Sequence, residues 1–218
     1  MDTEVSAEIA EAGNDTPMAR KSVNHLPNYE SLIDPTRRIR MLVIGSFYDN
    51  SVDKRQKSLH PDSLIVGIDV DTKLLKIADS QGIHVRIGGE QGDFFLSRVA
   101  AEFGPFDIIL DIGTHTSSHM VNCFRCLFMN ALSEGGAYIV ERVDCDYRRS
   151  YRDSRVSFMD LITALVDAMH SNAIAAVPKF RASNPGSVVE VSVPAITEAL
   201  GGIEICDSVV IVRRAVQV

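Results

Sequence analysis

Phe106-Asp107-Ile108-Ile109-Leu110-Asp111 is a nearly unbroken apolar stretch that stops at a carboxylate. A strand with one wet face alternates apolar and polar side chains. A near-continuous apolar strand is instead buried on both faces, as in a parallel sheet covered by helices. The same pattern recurs on either side. Met41-Leu42-Val43-Ile44-Gly45 ends in glycine, whereas Leu64-Ile65-Val66-Gly67-Ile68-Asp69 and Ala137-Tyr138-Ile139-Val140-Glu141 end in acids. Ile83-His84-Val85-Arg86-Ile87 alternates strictly and predicts a further strand.

Helical spacing fills the intervals. Lys73 to Ser80 carries Leu74, Leu75, Ile77 and Ala78. Asp93 is placed to cap a helix through Phe103, with Phe95, Leu96, Val99 and Phe103 inward. Ser117 or Ser118 caps another through Leu132, Gly135-Gly136 ends that unit, and Phe158 to His170 is a third amphipathic segment. Ile203 to Cys206 and Val209 to Val212 return to strand. Strands alternating with helices require crossover connections, so the expected class is α/β, a doubly wound, mostly parallel sheet. Residues 22–218 form that domain. Residues 1–21, with Asp2, Glu4, Glu8, Glu11 and Asp15 and almost no bulky apolar side chain, read as a disordered acidic tail.

The 218 residues hold 29 acidic and 22 basic side chains, for a net charge of −7. That balance disfavours a nucleic-acid-coating protein, which needs a clustered positive field. No apolar run approaches the roughly 18 residues of a membrane span. No leader pattern opens the sequence, so the cysteines Cys123, Cys126, Cys145 and Cys206 are expected reduced, in the cytoplasm. Cys123 and Cys126 have no second ligand pair at zinc spacing and fall within an apolar helical pattern, where cysteine packs as a small hydrophobe.

In an open α/β sheet, ligands bind beyond the carboxyl ends of the strands. Gly45, Asp69, Asp111 and Glu141 are expected there. A carboxylate after the second strand can accept both hydroxyl protons of a ribose, which suits Asp69. Asp71 is better placed to cap the helix that follows. The first strand-to-helix turn, Gly45-Ser46-Phe47-Tyr48-Asp49-Asn50-Ser51, has one glycine and no G-x-G-x-x-G cradle, which disfavours a dinucleotide enzyme. A phosphate-free ligand such as S-adenosylmethionine asks less of this turn. His115, just past the fourth strand, could act as a general base or could simply bond the next helix terminus. His119, one turn into that helix, is assigned a structural role.

Together these segments resemble class I S-adenosylmethionine-dependent O-methyltransferases of the macrolide deoxysugar and cephalosporin-hydroxylase-like type. His25-Leu26-Pro27-Asn28-Tyr29-Glu30 looks like the family's opening helix. Gly89-Glu90-Gln91-Gly92-Asp93 resembles its G-D-Q-x-D motif, and Asp111 to His115 its D-D-G-S-H signature. Gly135 to Glu141 resembles its G-G-x-Y-V-I-E strand, and Cys206-Asp207-Ser208 part of its terminal segment. The departures are as specific. Val43 replaces a glutamate, and Asp49-Asn50 stand where paired glycines belong. The positions that hold magnesium in metal-dependent members read Ile112, Glu141 and Arg142.

The resemblance implies S-adenosylmethionine as cofactor, held by Gly45, Asp69 and Gln91, with Asp111 near its methionine end. It implies a hydroxyl acceptor on a sugar or secondary metabolite, and association into homo-oligomers. No metal is expected. His115 would take the proton. Arg142 either supplies the charge that a metal would, or pairs with Glu141 or Asp144 in a site that has lost its metal. A methyltransferase-like binding or assembly protein without catalysis is the alternative.

Overall fold

The structure, a computed structural model, describes residues 32–45, 59–70, 83–89, 92–170 and 195–217. Seven strands form one sheet: β1 (Arg40–Ile44), β2 (Leu64–Asp69), β3 (His84–Ile87), β4 (Phe106–Asp111), β5 (Leu132–Glu141), β6 (Leu200–Cys206) and β7 (Val209–Arg214). The α-helices among the described residues are α1 (Asp93–Phe103), α2 (Ser117–Asn130) and α3 (Phe158–Met169). The spatial order is β3-β2-β1-β4-β5-β7-β6. Strands β1 to β5 pair in parallel, and β7 runs antiparallel to both β5 and β6. The expected doubly wound, mostly parallel α/β sheet is therefore present.

Both faces of the sheet are buried, which is why its strands read as continuous apolar runs. In β1, Leu42 and Ile44 join one core with Val66, Ile68, Ile109, Tyr138 and Val140. Met41 and Val43 join the other with Ile65, Val85, Leu110 and Ile139. Helices α1, α2 and α3 cover the first face, through Leu96 and Val99, Phe124 and Leu127, and Phe158 and Ile162. Phe124 is the pivot. It stacks on Phe128 at 4.9 Å and meets Tyr138 and Phe158 edge-on at 5.2 and 5.9 Å, joining α2, β5 and α3.

Local details differ from the sequence-based expectations. Gly92, not Asp93, occupies the cap of α1, and Asp93 is the first helical residue, where its charge suits the helix dipole. Thr116, not Ser117 or Ser118, caps α2 by accepting from the His119 N–H. Gly135 and Gly136 lie inside β5 rather than ending the preceding unit. The β4–β5 register shifts between Phe106 and Ile108, and a Cβ on Gly136 would lie 2.9 Å from the Asp107 carbonyl oxygen. The glycines belong to that irregularity. The tail at 1–21, the helix expected from Lys73 to Ser80, Asp71 and Gln91 lie outside the described residues. No helix among the described residues is long and apolar enough to cross a membrane.

Candidate active site

The strand order reverses at β1, whose neighbours are β2 and β4. A crevice opens at the carboxyl end of such a sheet. In register, Ile44 lies beside Ile68 and Asp111, and Asp111 beside Val140. One residue further along, Gly45, Asp69, Ile112 and Glu141 form the rim. Four of the sequence-predicted positions thus meet at one edge: Gly45, Asp69, Asp111 and Glu141.

Gly45 has φ of +105°, and a Cβ there would lie 2.5 Å from Gly113 Cα. The Gly45 N–H donates to the Ile68 carbonyl and the Ile112 N–H to the Ile44 carbonyl, both at 2.9 Å. Only glycine fits this approach of β1 and β4, and the bare backbone leaves a ligand room to come close. Asp69 is buried at the end of β2, where its Oδ1 accepts from the Val70 N–H at 2.5 Å. Its carbonyl accepts from Gly88 at 3.1 Å.

Asp111 turns inward. Its Oδ1 lies 3.0 Å from His119 Nε2 and 3.1 Å from the donating Gly113 N–H, and the Tyr138 hydroxyl donates to Oδ2 at 3.4 Å. Burial and the Asp111 carboxylate hold the Tyr138 phenol well above its ordinary value, so it remains a donor. Cys123 Sγ is 3.8 Å from the same His119 nitrogen, because residues 119 and 123 share a face of α2. Asp111, His119 and Cys123 could be taken for metal ligands, their atoms lying within 4.8 Å of one another. The direct Asp111–His119 contact instead makes them a hydrogen-bonded clamp between β4 and α2. The structural role expected of His119 is realised here. Its link to Asp111 was not legible in the sequence beyond the eight-residue spacing.

Between strand and helix stands His115, buried and at φ of 58°. A left-handed conformation lets the chain reverse from β4 into α2 within a few residues, at a cost of about 1–2 kcal/mol for a residue with a Cβ. Burial pushes its imidazole below the ordinary value of 6.5. The charges of Arg142 and His119 act in the same direction; Asp111 and a hydrogen bond to the Glu141 backbone oppose them. Its Nδ1 is buried without a hydrogen-bond partner among the described residues. Arg142, exposed and also left-handed at φ of 57°, follows β5 directly. Asp144 pairs with Arg148 at 2.7 Å rather than with Arg142. Arg142 makes no ion pair among the described residues.

A magnesium ion at Ile112, Glu141 and Arg142 would meet an alkyl chain, one carboxylate and a guanidinium. Asp146, the other nearby acid, is buried and bonded to Ser117 Oγ and the Met159 N–H, both at 2.7 Å. These residues do not fit a hard divalent cation, which wants several oxygen ligands and no adjacent positive charge. A cavity of about 300 Å³ lies elsewhere, at the opposite end of the sheet, lined by Arg37, Asp107, Ala137 and Arg213. It contains none of the strand-end residues.

The MycE methyltransferase from the mycinamycin biosynthetic pathway, solved in complex with Mg and SAH, superposes with a TM-score of 0.66 at 24% identity. The match covers 83% of this chain and 46% of that one. The chain has the class I methyltransferase fold. Its sequence is similar to that of an 8-demethyl-8-(2-methoxy-alpha-L-rhamnosyl)-tetracenomycin-C 3'-O-methyltransferase from Streptomyces olivaceus, 35% identical over 54% of this chain and 31% of the relative. It is also similar to the L-olivosyl-oleandolide 3-O-methyltransferase of Streptomyces antibioticus, 31% identical over 61% and 37% respectively. The chain spans about a third of the length of these curated relatives. No protein-family model matches it. Within the class I methyltransferase fold, the rim built by Gly45, Asp69 and Glu141 lies at the end of the sheet where this architecture takes its ligands.

Proposed function

We propose that the chain transfers a methyl group from S-adenosylmethionine to a hydroxyl of a sugar or secondary metabolite, without a metal ion. The carrying observation is His115: a neutral, buried imidazole with an unpartnered nitrogen, in a strained conformation, at the carboxyl edge of the sheet. Strain of this kind collects at functional sites.

Gly45 and Asp69 would hold the cofactor, Asp69 through the ribose hydroxyls. Gln91 would join them, and Asp111 would support the methionine end from beneath. Bound there, the cofactor supplies an electrophilic methyl group. His115 accepts the proton of the acceptor hydroxyl as the oxygen becomes nucleophilic. The Arg142 guanidinium donates to the developing alkoxide, a part otherwise played by a metal. The four free cysteines fit a reducing, cytoplasmic setting. The acceptor in this reading is a small-molecule glycoside or secondary metabolite, and association into homo-oligomers accompanies it.

A second reading, binding or assembly without catalysis, is favoured by Ile112 and Arg142 in place of carboxylates. Isothermal titration with S-adenosylmethionine, S-adenosylhomocysteine and NAD tests the cofactor assignment. Binding of the first two and not the third is expected; no binding of S-adenosylhomocysteine would remove the methyltransferase reading. Turnover of any hydroxyl acceptor then excludes the non-catalytic one.

A further inference from the structure

The segment after β5 carries an unusual charge arrangement for a chain with a net charge of −7. Between residues 142 and 157 lie the arginines Arg142, Arg148, Arg149, Arg152 and Arg155 and the aspartates Asp144, Asp146 and Asp153. Two of the aspartates are engaged at helix ends, Asp146 buried and Asp153 at the surface. Asp146 takes Ser117 Oγ and the Met159 N–H. Asp153 takes the Ser118 N–H at 2.8 Å and its hydroxyl at 2.6 Å. They serve the amino ends of α3 and α2. Asp144 holds Arg148, and Asp160 holds Arg152 at 2.9 Å. Arg149 and Arg155 remain exposed, with no ion pair among the described residues.

This segment is anchored beside the proposed base. The Tyr151 carbonyl accepts from the Ser117 N–H at 3.0 Å, two residues beyond His115. Arg142, at the start of the segment, acts electrostatically on His115 itself. Tyr147, 75% exposed, and Val156, 50% exposed, add an aromatic and an apolar side chain to the same segment. An aromatic face suits a sugar ring. Arginine forks suit phosphate or carboxylate oxygens, which they bind bidentately.

We propose that Arg149 and Arg155, with Tyr147, form an acceptor subsite for an anionic group, so that the methylated glycoside carries a phosphate or a carboxylate. The inference rests on the methyltransferase reading for its acceptor, but not for its charge preference.

The test is a titration of the full chain, with and without S-adenosylhomocysteine, by glucose, glucuronic acid and uridine diphosphate glucose. An anionic probe is expected to bind at least about tenfold tighter than glucose, and to lose that advantage at high salt. Glucuronic acid leading would mark a carboxylate acceptor; uridine diphosphate glucose leading would mark a phosphate. An Arg149→Gln/Arg155→Gln double variant should lose the preference by about ten- to hundredfold. Affinity for S-adenosylhomocysteine serves as its folding control. Glucose binding as tightly as both anions, or a double variant that keeps the preference, would overturn the proposal. Failure of S-adenosylhomocysteine to bind would instead count against the methyltransferase reading, while the titrations without it still decide the charge preference.

Discussion

His115 combines a left-handed backbone, a buried ring and a depressed affinity for protons. The left-handed backbone and the buried, unpartnered nitrogen are unfavourable for stability, so substitution can separate stability from chemistry. His115→Gly removes both the strain and the imidazole. Thermal melting should show a Tm no lower than that of the parent, whereas methyl transfer should slow by roughly 10²–10⁴-fold. A full-speed variant would end the general-base assignment. Because the folded imidazole lies below 6.5, the neutral base persists through neutral pH, and the rate should fall only in acid. The unfolded chain binds the proton more readily. The stability associated with a neutral His115 is therefore complete above the unfolded value and lost as pH falls through the folded one. Urea midpoints of parent and His115→Gly protein should therefore move apart on acidification, the parent falling further. Arg142 lowers the proton affinity of His115. Arg142→Ala should thus move the acid limb of the rate profile to higher pH, besides slowing transfer by roughly 10²–10³-fold. Asp69→Ala should weaken S-adenosylhomocysteine binding about ten- to hundredfold by calorimetry, for a ligand hydroxyl pair left without its acceptor.

Elements are tied together here by polar clamps as well as apolar faces. Asp111, His119 and Tyr138 join β4, α2 and β5 around one buried carboxylate. His119→Ala should lower unfolding free energy by at least about 1–3 kcal/mol, read from urea denaturation, because the carboxylate loses a partner in a site water does not reach. The α3 capping box, in which Ser157 and Asp160 satisfy each other's backbone N–H groups, should be worth about 1 kcal/mol on Ser157→Ala. Existence and type of these elements follow from apolar periodicity, so β1, β2, β4 and α1 to α3 were legible in the chain. Their edges were less so. Asp93, Ser117 and Ser118 all have side chains suited to caps, but which residue takes the cap depends on where the chain arrives. Asp153, far along the sequence, already claims Ser118. Gly135-Gly136 signals a break to any local reading, yet its neighbours pair with β4, and the strand runs through it.

At the scale of the whole molecule, the sheet brings four strand ends to one rim, and a ligand bound there bridges them. Saturation with S-adenosylhomocysteine at about 100 times its dissociation constant should add about 2.7 kcal/mol. For a chain of this size that is a rise in Tm of roughly 5–10 °C by differential scanning. The shift should be the same in EDTA and in magnesium. A magnesium-dependent increment abolished by Glu141→Gln would place a metal where Ile112 and Arg142 argue against one.

The class of fold and the edge of the sheet that matters follow from the order of the amino acids alone. Continuous apolar strands ending in Asp69, Asp111 and Glu141 can only be buried on both faces, and their polar ends must then emerge together. Ile112 and Arg142, which depart from the magnesium positions of the metal-dependent enzymes the chain resembles, are likewise plain in one dimension. Tertiary structure decided what each of those polar ends does. Asp111 and Asp69 look equivalent as letters, but Asp111 is enclosed by His119, Gly113 and Tyr138, contacts that come from α2, its own turn and a neighbouring strand. The left-handed turn at His115 and its low proton affinity likewise depend on burial and on Arg142, 27 residues away. Proton affinity follows local dielectric and neighbouring charge, and both are fixed only once distant segments have packed.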